Sequence, residues 1–214
     1  MDMDLSNPIS VVIPSLEGQV LRVLAHTTTP LSGSRIAELV TTGSNPGIRT
    51  ALGRLVHHGT VLARRSGPSI LYTANRDHLT WPTIEHAVQT ADTLLDTLQD
   101  HIADLARAHL GQLDAESTTL ALFGSVARGT STLDSDIDIV AVFPDNLDAH
   151  TIEQLVDAVT AGVQRWTGNS CNVYDITSTR LAQMSAAHDP MIESWAADAR
   201  TFLGPDLRRR LVES

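Results

Sequence analysis

The chain has 214 residues, 42% hydrophobic and 19% charged, which suits one large domain or two small ones and excludes a disordered or fibrous chain. A single cysteine, Cys171, excludes an intramolecular disulfide and a Cys-rich zinc site, and all 15 basic residues are arginine, which excludes lysine Schiff-base chemistry. The acidic start, Met1-Asp2-Met3-Asp4, and the lack of any apolar run near the roughly 18 residues of a membrane span point to a cytoplasmic protein with no membrane partner.

The net charge of -10 is unevenly spread. Residues 1–80 hold seven Arg against five acids, and residues 81–214 hold eight Arg against twenty, so two differently charged modules are expected. Between residues 10 and 76 the balance is seven Arg to two acids, the modest basic bias of a nucleic-acid reader.

Leu16, Val20, Leu21, Val23 and Leu24 recur at helical spacing and predict a first helix to about His26, broken by Thr27-Thr28-Thr29-Pro30. Ser32 or Ser34 can cap a short second helix around Ile36, Ala37, Leu39 and Val40. After a turn at 42–46, a third helix over about 47–58 buries Ile48, Leu52, Leu55 and Val56, and Gly59 closes it. Strands at 61–64 and 70–73 flank a turn containing Gly67-Pro68.

With this order of helix, turn, Arg-bearing helix and Arg-tipped hairpin, residues 10–76 resemble the winged helix-turn-helix family. The resemblance implies a third helix in the DNA major groove, a hairpin on an adjacent backbone or minor groove, and DNA contacts from Arg49, Arg54, Arg64 and Arg65. The alternative is that these arginines are solvated charge on a module that docks or dimerises.

A long linker helix is expected over residues 81–112, with Pro82 in its first turn. Ile84, Val88, Ala91, Leu95, Leu98, Ile102 and Leu105 form a heptad stripe, and Asp92, Asp96, Asp100 and Asp104 occupy another flank. Such a stripe either makes a homodimer or packs on the next domain of its own chain.

The third region, residues 113–214, holds the chemistry. An apolar strand ends at Gly124-Ser125, a short helical turn follows, and a second strand opens at Asp136-Ile137-Asp138. Alternation along a strand sends both acids to one face and Ile137 and Ile139 to the other. Two neighbouring carboxylates call for a divalent cation, and a glycine lets backbone approach a phosphate chain.

Gly-Ser, ten residues, then Asp-x-Asp, with Ala127-Arg128-Gly129 between, resembles the minimal nucleotidyltransferases of the DNA polymerase beta superfamily over residues 118–143. The resemblance implies an α+β fold, with a small mixed sheet flanked by helices, and transfer of a nucleoside monophosphate from a nucleoside triphosphate, ATP being the expected one. Asp136 and Asp138 would hold Mg2+, Gly124 and Ser125 would hold phosphates, and Arg128 would neutralise their charge or serve the short helix structurally. The family's third carboxylate, on a later strand, is assigned to Asp175, the only acid of the strand at 171–176, with an N-cap role as its alternative.

A helix is expected over 149–166, then helices at 180–187 and 190–202, and a basic turn at Arg208-Arg209-Arg210 that either attracts an anionic acceptor or complements a helix end. The resemblance further implies a hydroxyl acceptor on a protein or RNA and a place in a toxin–antitoxin pair. The remaining alternatives are an antibiotic nucleotidyltransferase and a transcriptional regulator whose transferase domain only senses nucleotide.

Overall fold

The computed structural model describes residues 2–40 and 42–213 and divides into two compact units. One is Asn7–Leu94, and the other contains residues 2–6 and the chain from Leu95 onward.

The Asn7–Leu94 unit contains α1 (Ile9–Val12), α2 (Leu16–Ala25), β1 (Leu31–Ser32), α3 (Gly33–Leu39), α4 (Asn45–His57), β2 (Val61–Ser66), β3 (Ser69–Ala74) and the first half of α5 (Trp81–Leu110). Its core gathers the expected helical faces, with Val20, Leu24, Ile36, Ile48 and Leu52 fully buried. Ser32 Oγ accepts the Arg35 N–H at 3.2 Å and Ser44 Oγ accepts that of Gly47 at 3.3 Å, capping α3 and α4. Helix α4 starts two residues before the expected position, because Pro46 sits in its first turn, where a missing N–H costs nothing. The hairpin β2–β3 acquires a third antiparallel strand in the order β1-β3-β2, and β1 is too short to leave a periodic pattern.

Helix α5 consumes its own apolar stripe. Val88 and Ala91 are buried with Ile9, and Ile84 packs on the core of the Asn7–Leu94 unit. Further along, Leu98 and Ile102 are buried and Leu95 and Leu105 half-buried in the core of the second unit. The stripe therefore packs within its own chain, and no free heptad seam for a homodimer remains among the described residues.

The second unit continues with α6 (Gln112–Ser117), β4 (Thr119–Phe123), α7 (Gly124–Arg128), β5 (Ile137–Phe143), α8 (Ala149–Thr167), β6 (Cys171–Thr177), α9 (Ser178–Ala186), α10 (Pro190–Asp198), β7 (Arg200–Leu203) and α11 (Leu207–Glu213). The sheet order is β6-β5-β4-β7, with β5 and β6 parallel and the other pairs antiparallel, so the expected mixed α+β character holds. Helix α8 makes the crossover that a parallel pair requires. Ile137, Ile139, Ala141 and Phe143 bury one sheet face with residues of α5 and α8. Val140 and Val142 bury the other with Leu181, Met184 and Trp195.

The expected helix over 190–202 ends at Asp198, and residues 200–203 form an edge strand on β4. Thr201 and Phe202 favour a strand. The basic turn has structural partners: Arg208 donates to the Ala197 carbonyl in the last turn of α10, and Arg210 donates to Thr119 Oγ1 at 3.0 Å and Ser178 Oγ at 2.6 Å.

The N-terminal segment belongs to this second unit. The Met3 N–H donates to Asn169 Oδ1 at 2.9 Å, and Asn169 Nδ2 donates to the carbonyls of Met3 and Ser135 at 3.1 and 3.0 Å. Asn169 is 1% exposed, so each polar atom of its side chain is satisfied indoors. Among the described residues no helix is long and apolar enough to cross a membrane.

Candidate functional site

Strand β5 alternates as expected: Ile137 and Ile139 are buried, and Asp138 lies on the opposite face with Val140 and Val142. Asp136, one residue before the strand, is exposed, and Asp138 is half-buried. Their carboxylates meet at one group. Asn172 Nδ2 donates to Asp136 Oδ2 at 3.3 Å and to Asp138 Oδ1 at 3.1 Å. Chemistry fixes the orientation of this amide, since its oxygen facing two carboxylates would be repelled while its NH2 has a proton for each.

The Gly124 bend lies directly against this pair. Phe123 pairs with Asp138 in the sheet, and Gly124 follows with φ +73°. A Cβ there would stand 2.6 Å from Asp138 Oδ2, so a side chain at this position would be strained in its backbone and would displace the Asp138 carboxylate. Ser125 opens α7 beside it and is half-buried, and its carbonyl accepts the Thr130 N–H at 2.9 Å, closing the loop after Gly129. Arg128 donates to Asp198 on α10, which braces α7 and engages the guanidinium expected to face phosphate.

Asp175 does not join this group. It pairs with Ala141 in the parallel register, while Asp138 pairs with Asn172. Register partners share a face, so Asp175 belongs with Ala141, Cys171 and Val173, across the sheet from Asp138. The assignment of Asp175 as third carboxylate is corrected on this ground, and the residue beside Asp138 on β6 is an amide. Cys171 is buried, and burial followed by the charges of Asp138 and Asp136 pushes its thiol up to about 12, so it stays protonated.

Asn172 was not anticipated from the sequence. Its only signal is parity: Cys171 and Val173 read as inward apolar residues, which puts Asn172, Tyr174 and Ile176 on the other face. On that face the buried Trp195 makes edge contacts with the rings of Phe123 and Tyr174, at centroid distances of 6.1 and 5.3 Å, forming an aromatic floor.

Two hard oxygen donors converging on one neutral NH2 donor group fit a magnesium ion, which takes one or two protein carboxylates and completes its shell with water and substrate phosphate. No cluster of three or more His, Cys, Asp or Glu side chains suited to a metal occurs among the described residues, so the two carboxylates are at most a candidate half-site.

The four arginines expected on DNA are placed differently from one another. Arg49 is exposed and lines an open concavity with Ser32, Ser69, Ile70 and Tyr72. Arg65 pairs with Ile70 and shares that face, while Arg64 pairs with Leu71 and points to the other side of the ribbon. Arg54 is held by Glu17, whose carboxyl this hydrogen bond keeps below its ordinary range against the opposing effect of burial.

No curated protein matches the chain. Among solved structures, a toxin–antitoxin determined with AMP-PNP is 18% identical, with 54% of this chain and 84% of that one covered at a TM-score of 0.38. A mutant of the toxin–antitoxin MntA-HpeT is 15% identical over the same shares, with a TM-score of 0.36. TrmBL2, an archaeal chromatin protein with a novel mode of DNA binding, is 13% identical, covering 88% of this chain and 76% of its own at a TM-score of 0.29. Residues 106–181, which include both acids, the Gly124 bend and all of β6, match the family model described as nucleotidyltransferase domain.

Proposed function

We propose that this chain is a magnesium-dependent transferase that moves AMP from ATP to a hydroxyl of a protein or RNA acceptor, and that its Asn7–Leu94 unit binds DNA as a winged helix-turn-helix. The observation that carries the first part is the convergence of Asp136 and Asp138 on one nitrogen, against a left-handed glycine bend that leaves no room for a Cβ unless the Asp138 carboxylate moves. The second part is supported by the element order around Arg49 and Arg65.

In this reading Asp136 and Asp138 bind the cation, and the Gly124-Ser125 backbone receives the β- and γ-phosphates. Magnesium, when bound, neutralises the triphosphate oxygens and the departing charge. The acceptor oxygen forms a bond to the α-phosphorus and the α–β bridging bond breaks. Pyrophosphate leaves with that electron pair, and the hydroxyl proton passes to solvent. The chain's part is positioning, because little covalent chemistry falls to the protein in phosphoryl transfer. Joined to a DNA-binding unit, the activity suits a toxin–antitoxin pair in which this chain modifies its partner and represses its own operon.

The place of Asp175 across the sheet favours a second reading, in which the site binds nucleotide without turnover and the bound nucleotide changes DNA affinity. One experiment separates the two. With ATP labelled at the α-phosphate and Mg2+, the intact protein should label a macromolecule in a cell extract, and Asp136→Ala and Asp138→Ala should not. Stable nucleotide binding with no labelled acceptor, together with altered DNA affinity, establishes the sensor and ends the transferase reading.

A further inference from the structure

We infer that Asn172 is the positioning residue of the half-site: its NH2 group holds Asp136 and Asp138 together while no cation is bound, and the amide rotates to offer its carbonyl oxygen when one enters. The inference rests on the reading of the two acids as cation ligands.

Asp138 has Phe123 of β4 on one side and Asn172 of β6 on the other, so no second acid flanks it within the sheet. Two like charges this close favour separation, and an exposed Asp136 on the strand approach has solvent to move into. A single donor shared by both oxygens opposes that movement. At 3.3 and 3.1 Å it brings both into the volume a cation would occupy.

An asparagine serves this role where a lysine, aspartate or serine would not. A lysine would compete with the cation as a permanent charge. An aspartate would leave three acids repelling one another. A serine brings only one proton. The amide alone carries two donors on one end and an acceptor on the other, exchanged by a half-turn about its last bond. Its neighbours permit that turn, since Asn172 is exposed and its oxygen accepts no hydrogen bond from any described residue.

The test is binding of Mn2+ to the full chain, read from the electron paramagnetic resonance signal of the free ion, together with the Asn172 side-chain amide in a 15N-correlated NMR spectrum, assigned with Asn172→Ala. Asn172→Ala should weaken Mn2+ binding by about tenfold, as loss of a ligand-orienting partner does. Asn172→Asp should tighten it while lowering the melting temperature of the cation-free protein, a pair of opposite signs that a merely structural role would not produce. In the intact protein the Asn172 amide protons should move on titration with Mg2+, and in Asp138→Asn they should start displaced and stay still. Equal or tighter Mn2+ binding by Asn172→Ala, or an amide signal indifferent to saturating Mg2+, overturns the inference. If instead Asp136→Asn and Asp138→Asn bind Mn2+ as the intact protein does, the cation-site reading itself fails. Asn172→Ser, smaller and still polar, repeats the comparison should the alanine variant fold poorly.

Discussion

Replacing Gly124 by alanine imposes two penalties, and the same change at Gly129 imposes only one. Both glycines have left-handed backbone, at φ +73° and +71°, but an added Cβ meets Asp138 Oδ2 at 2.6 Å from Gly124 and nothing within 4 Å from Gly129. The backbone term is about 1–2 kcal/mol at each site. For a protein of this size that lowers a melting temperature by roughly 2–8 °C. At Gly124 the methyl group also pushes the Asp138 carboxylate off the Asn172 amide, adding about 1 kcal/mol for the lost hydrogen bond and displacing the proposed cation ligand. Calorimetry of the transition of the unit from Leu95 onward and Mn2+ or ATP titration of both variants measure the two parts. Gly129→Ala should lose stability and keep its ligand affinity, while Gly124→Ala should lose at least as much stability and about tenfold or more in affinity. Equal ligand affinity in the two variants would refute the claim that the bend is built around Asp138.

Four further outcomes follow from named contacts. Arg49→Ala should weaken DNA binding and reduce the slope of log affinity against log salt by about one, while Arg54→Ala, whose guanidinium Glu17 already holds, should change both less; fluorescence anisotropy at several salt concentrations distinguishes equal losses from unequal ones. Arg210→Met removes donors from Thr119 and Ser178 and should cost the unit from Leu95 onward about 1–3 kcal/mol in urea unfolding, with an unchanged midpoint counting against it. Glu17 titrates below its ordinary value of 4.5, so its contribution is complete above that value and is lost as pH falls through the depressed one; in melts from pH 7 down to about 3, Arg54→Ala should flatten this acid limb. Cys171, buried and pushed up to about 12, should resist a disulfide reagent at about pH 8 until the chain is unfolded, and prompt native labelling would contradict its placement.

The spacing from Gly124-Ser125 to Asp136-Ile137-Asp138 made β4, α7 and β5 readable, because each local choice there agrees with the alternation of one buried strand. The role of Asp175 was not readable in the same way. Being the only acid on β6 made it conspicuous, but its face depends on how β6 registers against β5, and a slip of one residue inverts every side chain. The stripe on α5 posed a similar problem: periodicity defines an apolar face without naming what covers it, and here two cores of the same chain share it. Strand β7 is four residues long and follows a helix directly, too short for alternation to outweigh the helical pattern before it.

The bonds from Asn169 to Met3 have a practical corollary for anyone dissecting the molecule. A clone begun after the hairpin, at residue 77 or later, would discard the peptide that fills this amide, leaving the sequestered Asn169 oxygen without its donor and its NH2 with only the Ser135 carbonyl that leads into Asp136. Poor behaviour of such a fragment would therefore reflect a missing piece of its own interior. A faithful excision keeps residues 2–6 and splices them to Leu95 through a flexible insert.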